Sequence, residues 1–178
     1  MKKKILNLGC GKIKKNVPFK GEVVGIDVAK LKGVDIIHDL NKFPWPIKNN
    51  EFDYVYASNI LEHLNDIIKP LEELHRISKP NAIIKIIVPL FPGVWTFADP
   101  THKSVFTYMS FNYFEEKHGL NYYSNARFKI IKRKIRFHKI FKFMEFINTF
   151  EFLKKSYYVF FSQIIPPKFL EITLKVEK

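Results

Sequence analysis

Five short, nearly all-apolar runs, each followed by a polar turn, occupy the first half of the chain and constrain its fold more than any other feature. The runs cover residues 5–8, 23–26, 35–37, 54–57 and 82–88. Apolar runs of this length are typical of strands that are buried on both faces of a parallel sheet. The pattern therefore predicts an α/β fold.

The connections between these runs differ in length. Apolar residues recur at three- and four-residue steps from Ile60 to Ile77, which predicts a crossover helix that is bent or broken at Pro70. Residues 28–33 are too few for a helical crossover, but six extended residues span roughly 20 Å, so a bare loop can join two parallel strands. Residues 9–22 contain Pro18, and we expect the helix there to be truncated or missing.

The second half of the chain has a different pattern. Residues 110–118 predict a short helix closed by Gly119, and residues 128–137 predict a strand whose hairpin-like partner is 170–176. Aromatic and aliphatic residues between these strands lie at helical spacing. We expect one domain over residues 1–178, with an amphipathic helical insertion near 139–167. Three roles stay open for the insertion: a lid or core helix, a homodimer face, or a peripheral membrane contact.

Composition limits the classes of protein that fit. The chain has 178 residues, of which 47% are hydrophobic, and a single Cys. It is long enough for one core, it cannot form an internal disulfide, and it contains no run of roughly 18 uncharged apolar residues. We therefore expect a cytoplasmic protein.

The net charge of +13, from 30 Lys+Arg against 17 Asp+Glu, permits partners such as nucleic acid, anionic lipid or acidic substrates. The basic residues are spread along the chain, and no nucleic-acid-binding motif accompanies them. Because the positive charge is spread out and has no such motif beside it, we do not expect nucleic acid as a partner.

A glycine turn and two aspartates follow the first three predicted strands. Gly9 and Gly11 allow a tight turn after the first strand, while Lys14 stands where a dinucleotide-binding loop would have its third glycine. Asp27 ends the second strand, where a carboxylate can accept hydrogen bonds from a ribose diol. Asp39, or the backbone of Leu40, would face the base of a nucleoside whose ribose binds Asp27. The alternative is that both aspartates merely cap loops.

Taken in order, these motifs resemble the class I S-adenosylmethionine-dependent methyltransferases, most closely the small type 11-like proteins. The resemblance runs through residues 5–11, 25–27, 37–46, 52–64, 72–80 and 98–107. It implies a Rossmann-like three-layer sandwich, with a mostly parallel seven-stranded sheet whose last strand is antiparallel. It also implies S-adenosylmethionine as the cofactor. The implied cofactor contacts are Leu8, Gly9 and Gly11 in the loop, Asp27 at the ribose, Asp39 and Leu40 at the adenine, and Ser58 or Asn59 after the fourth strand.

Two motifs that the sequence lacks limit the range of possible methyl acceptors. No Asn/Asp-Pro-Pro-aromatic motif follows the fourth strand and no second Cys is present, so methylation of a nucleic-acid base is not favoured. A small molecule, a sugar or a lipid-linked acceptor remains. Two further hypotheses stay open: a non-catalytic cofactor-binding or interaction module, and a basic RNA-binding methyltransferase whose affinity for RNA would fall steeply with salt.

His102 is the predicted catalytic base. A sulfonium methyl group is already activated, so we predict no metal site, and a base is needed only for a hydroxyl or a protonated amine. His102 follows the fifth strand, with Asp99 or Thr101 placed to orient its ring. A purely structural turn is the alternative. For His63 on the crossover helix, we expect a supporting or packing role.

Overall fold

A computed structural model describes residues 2–119 and 121–178 and contains a seven-stranded sheet in the order β3-β2-β1-β4-β5-β7-β6. The strands are β1 (Lys4–Leu8), β2 (Glu22–Asp27), β3 (Ile36–Ile37), β4 (Phe52–Ser58), β5 (Ser78–Pro89), β6 (Arg127–Arg136) and β7 (Phe169–Glu177). All seven predicted strands are confirmed. Within the described ranges, no helix has both the length and the apolar character needed to cross a bilayer.

The first five strands are parallel, and two of their connections are short. Strand β1 pairs with β2 and β4, β2 pairs with β3, and β4 pairs with β5. Residues 9–21, all of them described, form turns without a helix, and residues 28–33 join β2 to its parallel neighbour β3 as a bare loop. Both short connections were predicted from the sequence.

The last two strands close the sheet on the other side of β5. Strand β7 is antiparallel to both β5 and β6, and residues 169–177 alternate between buried and half-buried positions. The sequence predicted this hairpin-like pairing, and the resemblance implied the antiparallel last strand. Together with the helices, the sheet forms the expected Rossmann-like α/β architecture.

The predicted crossover helix is broken, but not at Pro70. A single 3-10 turn spans Leu61–His63, and helix α1 runs from Ile68 to Ile77. Leu64 is extended, and the carboxylate of Asp66 accepts the Ile68 amide at 2.8 Å. Pro70 lies in the first turn of α1, where a missing N–H leaves no helical bond unmade.

Helix α1 fixes the loop that follows β3. Leu71, Leu74 and Ile77 are fully buried against the sheet. Glu73 accepts the backbone N–H of Trp45 at 2.7 Å, and the indole N–H of Trp45 donates to the Leu40 carbonyl at 3.1 Å. The buried Trp45 is thus an anchor that holds Leu40 at the end of the sheet.

The remaining helical segments are short. Helix α2 spans Trp95–Ala98, and 3-10 turns span Ser110–Phe114 and Asn121–Tyr123. The helix predicted over 110–118 therefore ends earlier than expected, because Glu115 is extended.

The predicted amphipathic insertion is divided into more pieces than expected. A 3-10 segment spans Lys139–Thr149, helix α3 spans Glu151–Ser156, and a π-helical turn spans Tyr157–Phe161. The division occurs because Phe150 is extended between the first two pieces. Ile147 and Tyr157 of the predicted stripe are buried, but most of its aromatic side chains are exposed.

Candidate functional site

The carboxyl ends of the parallel strands meet at one edge of the sheet. In register, Leu8 of β1 lies beside Ile26 of β2 and Ala57 of β4, and Asp27 lies beside Ile37 of β3. The residues that follow these strands therefore emerge side by side. This is the edge at which open α/β sheets bind their ligands.

The loop after β1 is held tightly to β2. Gly9 and Gly11 both have positive φ angles, of 62° and 53°. The Cys10 amide donates to the Ile26 carbonyl at 3.1 Å, and the Gly11 amide donates to the carboxylate of Asp27 at 2.9 Å. The loop thus turns back at the edge of the sheet, with open space beside Gly11.

Asn7, near the end of β1, stabilises this loop. Its side chain is buried, and its amide nitrogen donates to the Lys14 carbonyl at 3.0 Å. A carboxylate could not donate this bond. The amide at position 7 is therefore a structural support for the loop.

The Asp27 carboxylate is fixed at the ligand edge and retains acceptor capacity. One oxygen accepts the Gly11 amide and the other accepts the Ala29 amide, each at 2.9 Å. A carboxylate offers about four lone-pair sites, so two stay available for other donors. The side chain is only half-buried. This arrangement fits the two hydroxyls of a ribose.

The residues after β3 lie beside Asp27. The His38 amide donates to the Asp27 carbonyl at 2.9 Å, and Asp39 accepts both the amide and the side chain of Asn41. The Asn41 amide, opposed by a smaller effect of burial, lowers the pKa of Asp39, so this carboxylate stays ionised at neutral pH. The structure thus brings Gly9, Asp27 and Asp39 to one rim.

The other expected cofactor contacts lie on the same rim, in different environments. The side chains of Leu8 and Leu40 are buried, so these residues have mainly their backbone to offer a ligand. Ser58 ends β4, and the exposed Asn59 has a φ of 51° and donates its amide to the Ile87 carbonyl at 2.9 Å.

The two loop glycines differ in what a side chain would meet, and this gives a test of the rim. A Cβ on Gly9 would lie 2.6 Å from Cγ1 of Ile60, whereas a Cβ on Gly11 would meet nothing within 4 Å. We expect Gly9→Ala to destabilise the fold. Gly11→Ala should lower the free energy of unfolding by only about 1 kcal/mol, from its positive φ.

The same Gly11→Ala variant should nevertheless bind S-adenosylhomocysteine about tenfold more weakly, because its methyl group would enter space that a ligand approaching the backbone needs. Calorimetric titration and chemical unfolding measure the two effects separately. Wild-type affinity in Gly11→Ala would show that no ligand approaches this glycine.

A second group of polar side chains surrounds a cavity of about 580 Å³ that Asn59 also lines. Its polar lining comes from Glu62, His63, Asp99 and His102, and its apolar lining includes Pro89, Trp95 and Phe169. Lys103 and Ser104 donate their amides to the Glu62 carbonyl, at 2.7 and 3.2 Å. These two bonds hold the segment after β5 against the 3-10 turn after β4.

His102 lies in this cavity with a defined tautomer. Its Nδ1 is 3.0 Å from the Thr96 carbonyl. Because a carbonyl only accepts hydrogen bonds, Nδ1 is assigned the proton and Nε2 keeps a lone pair. The expectation that Asp99 or Thr101 orients this ring is therefore wrong, since Thr96 does so.

Asp99 and Thr101 orient His63 instead. The Thr101 hydroxyl donates to Asp99 at 2.6 Å and lies 2.9 Å from Nδ1 of His63. Hydrogen bonds from the Thr101 hydroxyl and amide lower the pKa of Asp99, so the carboxylate accepts and Nδ1 of His63 is the donor to Thr101. The two imidazole rings are 4.8 Å apart, edge to face.

Glu62 is the unusual member of the group. Its side chain is 1% exposed, and neither carboxylate oxygen has a hydrogen-bond partner. Burial raises the pKa of Glu62 to about 7, although its own amide and His102 favour the charged form. A buried carboxylate without a partner is costly to keep in a folded protein, which points to a functional reason for it.

Glu62, His63 and His102 also have the residue types of a metal site. One donor atom from each lies within 4.8 Å of the others, so these side chains could also hold a metal ion. The arrangement as it stands suits proton transfer.

The sequence did not identify Glu62 or the full role of His63. Helical periodicity over residues 60–77 would place Glu62 on the polar face of a crossover helix, but the chain forms only a single 3-10 turn there, and that turn buries the carboxylate. The signal available was the adjacent pair of a carboxylate and an imidazole directly after β4. Helical periodicity alone could not show that both face a cavity.

Comparisons with known proteins show what the sequence and the fold are similar to. The family model described as a methyltransferase domain matches residues 6–86. The demethylmenaquinone methyltransferase of Staphylococcus epidermidis is 26% identical over 117 residues, covering 52% of this chain and 48% of that protein. Its counterpart from Staphylococcus saprophyticus is 28% identical over 99 residues, covering 46% and 42%. The chain thus spans about half the length of the curated relatives it matches.

Solved structures share the fold at low identity. A methyltransferase from Archaeoglobus fulgidus that depends on S-adenosylmethionine has a TM-score of 0.63 at 17% identity, over 97% of this chain and 86% of that one. The [4+2]-cyclase SpnF has a TM-score of 0.62 at 14% identity, over 99% and 75%. Because these include a methyltransferase and a cyclase, the shared fold alone does not fix the reaction.

Proposed function

We propose that this chain is a class I S-adenosylmethionine-dependent methyltransferase of the type 11-like family, and that it methylates a hydroxyl group of a small-molecule or lipid-linked acceptor. The observation that carries this proposal is the cavity lined by Glu62, His63 and His102, which also shares Asn59 with the expected cofactor rim. It places groups able to accept a proton next to the rim at which the methyl donor is expected.

The cofactor is S-adenosylmethionine, which supplies a methyl group already activated on a sulfonium. We assign its ribose hydroxyls to Asp27, its adenine to Asp39 and Leu40, and its remaining contacts to the loop from Leu8 to Gly11 and to Ser58 or Asn59. The free acceptor sites of Asp27 and the open space at Gly11 support this assignment.

His102 is the proposed base. With Nδ1–H donated to Thr96, the Nε2 lone pair can accept the proton of the acceptor hydroxyl. S-adenosylmethionine, when bound, would supply the methyl group and leave as S-adenosylhomocysteine. The imidazolium that forms lies beside Glu62, whose carboxylate stabilises the positive charge. Glu62 therefore acts through His102, as a positioning residue.

The cavity lining indicates the acceptor class. Pro89, Trp95 and Phe169 provide apolar surface opposite the polar group, which suits an acceptor with a hydroxyl on an apolar body better than a free sugar. The curated relatives are named for demethylmenaquinone, which agrees with an apolar acceptor. We place the enzyme in the cytoplasm, where its free thiol, Cys10, would stay reduced.

Transfer of a labelled methyl group tests the proposed function. Purified protein is incubated with S-adenosylmethionine carrying a radioactive methyl group, and with either the lipid-soluble or the water-soluble fraction of a cell extract. We expect protein-dependent label in an extractable product of the lipid-soluble fraction, and no label when His102→Ala replaces wild type. Label incorporated only into RNA, or none in either fraction while S-adenosylhomocysteine still binds, would contradict the proposal.

A further inference from the structure

The segment between β6 and β7 carries a large exposed apolar surface. We call residues 139–164 the aromatic segment. Nine of its large apolar side chains are between 52% and 77% exposed: Ile140, Phe143, Phe146, Phe150, Phe152, Val159, Phe160, Phe161 and Ile164. Monomeric soluble proteins rarely leave contiguous apolar patches of more than a few hundred Å² facing water, so a surface of this kind indicates a partner.

The aromatic segment is held against the sheet by its other side chains. Asn148 accepts the Ile135 amide at 2.7 Å and donates to the Ile135 carbonyl at 2.9 Å. The ammonium of the buried Lys154 donates to the Arg133 carbonyl at 3.0 Å. Because these polar contacts fix the inner side of the segment on β6, the exposed phenylalanines cannot also turn inward.

The charges of the aromatic segment select an anionic partner. Its two acids are already paired, Glu145 with Lys134 and Arg136, and Glu151 with Arg133 and Lys154. Three lysines, Lys139, Lys142 and Lys155, are exposed, and no described carboxylate lies within 4.0 Å of their ammonium groups. The surface is thus apolar and cationic.

A second copy of the chain fits this surface poorly. Each copy carries a net charge of +13, and a symmetric contact through this segment would bring the same three lysines of both copies together. A bilayer with anionic headgroups offers both an apolar interior for phenylalanine and negative charge for lysine.

The aromatic segment is also continuous with the rim of the acceptor cavity. Trp95, which lines the cavity and is 42% exposed, stacks on His138, directly before the segment. The ammonium group of Lys168, the residue directly before β7, lies 5.1 Å from the centre of the Trp95 ring. A surface that binds the aromatic segment would therefore lie close to the cavity opening.

We propose that the aromatic segment docks on the surface of a bilayer containing anionic phospholipids. Its exposed phenylalanines enter the boundary between headgroups and acyl chains, and Lys139, Lys142 and Lys155 meet the phosphates. The docking does not depend on the identity of the reaction. It deepens the proposed function in one respect, since it would present the cavity to an acceptor held in the membrane.

Vesicle flotation tests this proposal with the full chain. Wild type should float with vesicles of phosphatidylcholine mixed with phosphatidylglycerol, and about tenfold less should float with phosphatidylcholine alone. The double variant Phe143→Ser, Phe160→Ser should lose about tenfold of the binding. Its matched control is Tyr122→Ser, Tyr123→Ser, which removes two other exposed aromatic rings and should float like wild type.

The charge contribution has its own matched pair. Lys142→Glu with Lys155→Glu should reduce flotation on the anionic vesicles, while Lys20→Glu with Lys48→Glu, exposed lysines elsewhere in the chain, should not. Circular dichroism checks that each variant is folded.

Two outcomes would point to another explanation. Equal losses from both lysine pairs would show binding by net charge alone, and a wild-type dimer that the phenylalanine variant dissociates would identify a second copy as the occupant. Either result, or no flotation of wild type, would overturn the proposal, while methyl transfer to a water-dispersed acceptor would be unaffected.

Discussion

Glu62→Gln is expected to make the protein more stable at alkaline pH and to slow methyl transfer at the same time. The folded-state pKa of Glu62 is raised to about 7 from its ordinary 4.5, so its contribution to stability is present below pH 4.5 and is lost as the pH rises through about 7. The neutral amide removes that loss. The difference in the free energy of unfolding between Glu62→Gln and wild type should therefore grow by about 3 kcal/mol in favour of the variant from pH 4 to pH 9.

The same substitution should lower kcat by about 100-fold, because the imidazolium of His102 loses its neighbouring charge. In wild type, kcat should increase as the pH passes through about 7 and Glu62 ionises, and Glu62→Gln should lose that inflection. Urea unfolding and the kcat profile over pH measure the two effects. Glu22→Gln is the matched control, since Glu22 is exposed at the start of β2. A variant that is less stable at pH 9, or that keeps both kcat and the inflection, would show that Glu62 is only structural.

Asp27→Ala should abolish most of the affinity for the cofactor. Hydrogen bonds to a charged group contribute about 1.5–3 kcal/mol each, so losing two to the ribose should weaken S-adenosylhomocysteine binding by roughly 100-fold or more. The change also removes the bonds from the Gly11 and Ala29 amides, so some loss of loop order adds to the effect. Calorimetric titration measures the affinity.

The control for Asp27 is an aspartate at the opposite edge of the sheet. Asp53, the second residue of β4, accepts hydrogen bonds from the Lys4 amide and from the ammonium groups of Lys79 and Lys3. Burial raises the pKa of Asp53, but these partners lower it to about 2. Asp53→Asn should reduce stability and leave S-adenosylhomocysteine affinity unchanged. Equal affinities for Asp27→Ala and wild type would remove Asp27 from the site.

Much of the fold was predictable because buried strands carry a strong local signal. The runs that became β1, β2, β4 and β5 are apolar on both faces, and the residues that end them fall at one edge for any parallel arrangement. The relative positions of the glycine turn, Asp27 and Asp39 followed from that topology. Helical segments were harder, since their boundaries depend on single contacts such as the bond from Ile68 to Asp66.

The acceptor side of the site could not be predicted as well. The partners of His63 and His102 depend on how the segment after β5 folds against residues 61–63, and no local pattern encodes which imidazole meets Thr96 and which meets Thr101. The aromatic segment shows a similar limit. Helical spacing left a lid or core helix, a dimer face and a membrane contact open, and the exposed phenylalanines show that periodicity does not reveal what a helical face contacts.

A crystal structure of the protein with bound S-adenosylhomocysteine tests the arrangement of the site most directly. We predict both ribose hydroxyls within hydrogen-bonding distance of the Asp27 carboxylate, the adenine beside Asp39 and Leu40, and the sulfur directed toward the cavity that contains His102. A nucleoside bound away from the carboxyl ends of β1 and β2, or a sulfur that faces away from His63 and His102, would contradict it.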